Sequence, residues 1–151
     1  KQITMETQKT VSILNDLIVV LEDGREGYLN ASQNTEDENL KIEFLTFSRE
    51  RSLLVVELQD EINKLGKSTD SESGALGALH RVWIDFKSLL TGHDTTAIIE
   101  ACVTGEDYAI ERYQEALKND DLLTSLRPII GSQLASIEMC KAKIKAMESI
   151  Q

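Results

Sequence analysis

Apolar residues recur at three- and four-residue steps along most of this chain, the spacing of one face of an α-helix. Over 4–32 the stripe is Val11, Leu14, Leu17, Ile18, Leu21, Arg25 and Tyr28. Gly24 and Gly27 beside it predict the close approach of a neighbouring helix, since each costs about 1 kcal/mol of helix propensity. Thr35 or Asp37 then caps a second helix over 38–65, with Gly66 at its C′ position. Its stripe is Leu40, Phe44, Phe47, Arg51, Leu54, Val55, Leu58, Ile62 and Leu65.

After the polar connector 67–73, a short amphipathic segment spans 74–91 with Leu76, Leu79, Trp83, Phe86 and Leu90 on one face. Asp94 or Thr95 caps the next helix, 95–119, whose inward stripe is rich in small residues: Ile98, Cys102, Gly105, Ala109, Arg112, Tyr113 and Ala116. The last helix, 121–150, carries Leu123, Leu126, Ile130, Leu134, Ile137, Lys141 and Ile144 inward. Pro128 either kinks it or marks its true first turn, because proline lacks the N–H that a helix interior needs. Two helical hairpins with short loops, joined by a crossover segment, predict an all-α four-helix bundle within one domain, 1–151.

Composition supports this. Hydrophobic residues make up 41% and charged residues 28%, the balance of a globular chain, with a single proline. A formal charge of -10 disfavours nucleic acid and anionic membrane surfaces as partners. No apolar run reaches the roughly 20 residues of a membrane span, so a cytoplasmic location is the default expectation. Cys102 and Cys140 read as buried free thiols. In a hairpin turning near Asp120 they lie at about the same level, which leaves oxidative pairing open.

The four-helix bundle with a crossover is the scaffold of di-iron carboxylate proteins, which need a Glu from each of two helices and Glu-x-x-His from each of the others. With turns near Thr35 and Asp120, Glu22 faces the level of Glu50, and Glu106 that of Glu138. These four are the metal candidates. The histidines are missing, however: Leu53 stands three residues after Glu50, Lys141 three after Glu138, and Glu-x-x-His occurs nowhere. The alternative is a central ion-pair layer in the space of a dinuclear site. Arg25, Arg51, Arg112 and Lys141 all fall on inward stripes, and a buried cation needs a carboxylate.

His80, beside Trp83 and near Asp85, reads as a packing residue with its ring N–H satisfied, and His93 as a turn residue next to Asp94. Neither cysteine has a nearby His, no Ser lies in a strand-turn-helix elbow, and no glycine loop follows a strand. Catalysis is therefore the minority reading. An amphipathic adaptor docking through Leu79, Trp83, Phe86 and Leu90 is a further reading. No cofactor is expected unless the carboxylates hold di-iron or di-manganese, and self-association into a homo-oligomer is open.

Three stretches, SILNDLIVVLEDGREGY (12–28), ALHRVWIDFKSLLTGHD (78–94) and ACVTGEDYAIERYQEAL (101–117), together resemble an uncharacterised bacterial family of ferritin-like proteins, a domain of unknown function. The crossover carries the most specific part, with His80, Arg81, Trp83 and Asp85 in its Leu-His-Arg, Trp-Ile-Asp and Leu-Thr-Gly pattern. The resemblance implies a ferritin-like four-helix bundle with no established activity; fold-level analogy to rubrerythrins and ferritins points to oxidative or general stress physiology. Members often carry a His where this chain has Lys141.

Overall fold

The computed structural model describes residues 4–66 and 94–148. These form four α-helices: α1 (Met5–Asn34), α2 (Glu38–Lys64), α3 (Thr95–Lys118) and α4 (Arg127–Glu148), with a 3-10 turn at Thr124–Leu126. No strand occurs among the described residues. The crossover predicted at 74–91, and with it His80, Arg81, Trp83 and Asp85, lies outside the described residues, as does His93.

Three of the four helices start where a side chain satisfies free N–H groups. Thr4 accepts from the Thr7 N–H at 3.1 Å, Asp37 from those of Asn39 and Leu40 at 2.9 and 3.1 Å, and Asp94 from that of Thr96 at 3.0 Å. Such a cap stabilises a helix by about 1 kcal/mol. At the end of α2, Gly66 takes a φ of 82°, the left-handed value that glycine alone adopts without strain.

The last helix begins later than its periodicity suggests. Residue 121 is not its start; α4 begins at Arg127, so Pro128 sits in the first turn, where its missing N–H has no intrahelical partner to lose. The preceding turn is tied down from both sides. Arg127 donates to the carbonyls of Leu117 and Asn119, closing the end of α3. Thr10, buried near the start of α1, donates to the Asp121 carbonyl at 2.9 Å and accepts from the Leu123 N–H at 3.0 Å.

That clamp fixes the topology. The α3–α4 turn lies beside the start of α1, and α1 and α2 run antiparallel, so α2 ends at the same end of the bundle while α3 starts at the other. The chain between Gly66 and Asp94 therefore joins opposite ends, as a hairpin-crossover-hairpin bundle requires.

The core divides into two apolar clusters. One gathers Leu14, Ile18 and Leu21 of α1 with Leu58, Tyr113, Ile130 and Ile137; the other gathers Tyr28, Phe44, Phe47, Ile98, Cys102, Cys140 and Ile144. Between them on α1, α2 and α3 stand Gly24, Arg51 and Glu106, all buried. The apolar stripes are interrupted on three helices at one level, and that level is the candidate site.

Candidate functional site: a buried ion-pair layer

Arg51 of α2 and Glu106 of α3 form an ion pair across the bundle, with side chains 3% and 2% exposed. The guanidinium lies over the Tyr28 ring, 5.5 Å from its centroid, in cation–π geometry. Tyr28 is held in place by Phe44, stacked at 6.0 Å, and by Phe47, edge-on at 5.4 Å. Its hydroxyl meets the Cys140 thiol of α4 at 3.5 Å.

Gly24 makes the room. A Cβ there would lie 2.7 Å from Nη1 of Arg51, inside van der Waals contact. The glycine of α1 thus admits an arginine side chain from α2, rather than simply a closer helix backbone.

Burial sets the protonation of the layer. It raises the Tyr28 phenol well above its ordinary value, and the neighbouring Glu106 adds to the effect. Burial likewise raises the Cys102 thiol, again with Glu106 contributing, and pushes the Cys140 thiol up to about 12. Burial is the largest single influence on Arg51 and opposes its charge, but Glu106, Tyr28 and Cys140 together more than offset it, and the guanidinium is held protonated more firmly than in water. At neutral pH the layer contains one cation, its carboxylate partner and neutral thiols and phenol. Thiols kept protonated are poor nucleophiles and poor metal ligands.

The remaining site candidates go elsewhere. Glu22 is half-buried, while Glu50 and Glu138 are exposed, so Glu106 is the one of the four that enters the core. Arg25 is half-buried and offers its backbone carbonyl to Ser48 Oγ at 3.0 Å. Arg112 turns outward to Glu115 on its own helix at 3.3 Å. Lys141 pairs with Asp107 at the rim, where the two side chains are 28% and 55% exposed. The four cations expected in a central layer therefore resolve into one buried cation and three nearer the surface. The physical reason is that flexible arginine and lysine stems carry their charge to water whenever the rim is within reach.

This donor set does not fit a dinuclear carboxylate centre. Such a centre needs carboxylates from several helices converging on one point, and here the inward one is already engaged by a guanidinium. Among the described residues, no group of three or more His, Cys, Asp or Glu is arranged to hold a metal ion.

A second buried polar junction lies deeper along α4. Tyr113 of α3 donates to Gln133 Oε1 at 2.7 Å, and Gln133 Nε2 donates to Glu57 Oε1 at 2.7 Å and to the Leu54 carbonyl at 3.2 Å. Three helices are joined by one amide. Gln133 stands three residues after Ile130 and four before Ile137, which places it on the inward stripe; its polarity hid it from a search for apolar periodicity.

Comparison with known proteins bears on the fold. The sequence pattern of a domain of unknown function (DUF2383) matches residues 9–119. Among solved structures, the F47E mutant of Mycobacterium smegmatis Dps1, whose substitution is numbered in that protein, is similar with a TM-score of 0.82 and 17% identity. The likeness covers 95% of this chain and 97% of that one. No curated protein matches the chain.

Proposed function

The chain belongs to the DUF2383 family, and we propose that it works through binding and assembly rather than through chemistry at a metal centre. One observation carries the reading: in mid-bundle, where a di-metal protein needs converging carboxylates, a protonated guanidinium pairs with the inward carboxylate. A guanidinium has no lone pair to offer a metal, and it neutralises the acid that would otherwise bind one. The neutral thiols around it support the same reading. Fold-level analogy with ferritin-like proteins supports a setting in general stress physiology. The acidic charge of -10 favours protein partners over phosphate backbones, and no described helix is long and apolar enough to cross a membrane.

Elemental analysis after anaerobic purification, followed by calorimetric titration with Fe(II) and Mn(II), tests it. The expected result is substoichiometric metal and no saturable heat. One or two tightly bound equivalents would overturn the proposal in favour of a di-iron or di-manganese site on Glu22, Glu50, Glu106 and Glu138.

A further inference from the structure

α1 and α3 leave a groove between them near the α3–α4 turn, with a cavity of about 100 Å³. Ile13 and Leu17 of α1 give it an apolar wall, and Asp16 of α1 with Arg112 and Glu115 of α3 bring charge to it. Asn119 also lines it, but its Oδ1 already accepts from the Asp121 N–H at 2.9 Å. Three charged groups are left to set the chemistry of the space.

Asp16 is the unusual member. Its Oδ1 is enclosed yet has no hydrogen-bond partner, a rare state for a buried acceptor and one that asks for a missing donor or cation nearby. The cation in the same cavity is directed elsewhere: Arg112 Nη1 donates to Glu115 Oε2 at 3.3 Å, one turn along its own helix. Both side chains remain partly exposed, so the groove is open to a ligand from outside.

We propose that this groove binds a small zwitterion, an α-amino acid, with its ammonium on the Asp16 carboxylate and its carboxylate on the Arg112 guanidinium. The lining charges select this class. Asp16 and Glu115 against Arg112 leave one net negative charge, which repels a simple anion, while a simple cation meets a permanent guanidinium at close range. A metal ion finds only two acids among the lining residues. A zwitterion presents each end to its opposite charge. A guanidinium carries five N–H donors and grips a carboxylate through two, so pairing with Glu115 through Nη1 orients Arg112 without exhausting it. The cavity holds the volume of about three waters, which limits the ligand to a short side chain resting on Ile13 and Leu17.

The inference gives the binding reading above a ligand class, and its test is separate from the metal titration. Isothermal calorimetry of the full chain with glycine and L-alanine should give saturable heat at one site per chain. L-Alaninamide, which lacks the carboxylate, and N-acetyl-L-alanine, which lacks the ammonium, should each bind at least tenfold more weakly. Asp16→Asn and Arg112→Gln should cause losses of the same size, with circular dichroism confirming that both are folded, whereas Lys141→Ala should leave binding unchanged. Blocked derivatives that bind as well as L-alanine would overturn the zwitterion, and heat that survives both substitutions would place the amino acid elsewhere and overturn the site. No saturable heat with either amino acid would overturn the proposal and leave Arg112 as the internal partner of Asp16. None of these results touches the reading that rests on the Arg51–Glu106 pair.

Discussion

Glu106 and Asp107 are adjacent in sequence and each pairs with a cation from another helix, but the two pairs are different physical objects. Glu106 meets Arg51 inside the core with both side chains almost fully enclosed, whereas Asp107 meets Lys141 at the rim with both still in contact with water. For the inner pair both ions have lost their hydration, so each depends on the other. At the rim, water already solvates each ion, and the pair adds little. Contact geometry alone would rank them together; solvent separates them.

The largest expected effect follows from removing one inner partner. Glu106→Ala or Arg51→Ala should cost about 3–5 kcal/mol, because a buried charge is left uncompensated. Replacing both with apolar residues of similar size, Arg51→Met with Glu106→Leu, should recover most of that in urea denaturation. A double variant as unstable as either single one would break the comparison.

Gly24→Ala comes next. The new Cβ pushes on Nη1 of Arg51, with an expected loss of about 1–3 kcal/mol. In an Arg51→Met background the loss should largely vanish, since the clash is with the guanidinium. Equal losses in both backgrounds would locate the cost in the helix backbone instead.

Alkaline pH probes the same layer. The Cys140 thiol holds its proton up to about 12 when folded but releases it near its ordinary value when unfolded, and the Tyr28 phenol is shifted in the same sense. The unfolded chain therefore binds fewer protons above about pH 9, so stability falls as pH rises, by up to about 1.4 kcal/mol per pH unit for each group. Thermal melts from pH 7 to 11 should show this decline, and Cys140→Ala should make it shallower. A flat profile would mean that the thiol is solvated.

The smallest effect belongs to the rim. Lys141→Ala should change stability by about 0.2–1 kcal/mol, and by less in high salt. A loss as large as that of Glu106→Ala would erase the distinction between the two pairs.

Most of the fold was legible along the chain. The apolar stripes mark three helices to within two residues and start the fourth six residues too early, Gly66 marks one end, and Pro128 marks the true start of α4 once its missing N–H is taken into account. The candidate layer was legible only in kind. Four cations fall on inward stripes, and each stripe position admits either burial or escape along a flexible stem. Arg51 stays inside because Gly24 opens a space for it, Tyr28 lies under it and Glu106 faces it, and these three come from two other helices. The Gln133 junction escaped notice because one polar residue in an apolar stripe has no local signature of its own.

The sequence by itself determined the helices, their caps and the all-α class, because these depend on side-chain periodicity and on hydrogen bonds between near neighbours. Only the tertiary structure decided which cation and which carboxylate share the core. That choice rests on the axial register between helices and on which side chains can reach water, and neither is encoded in any one segment.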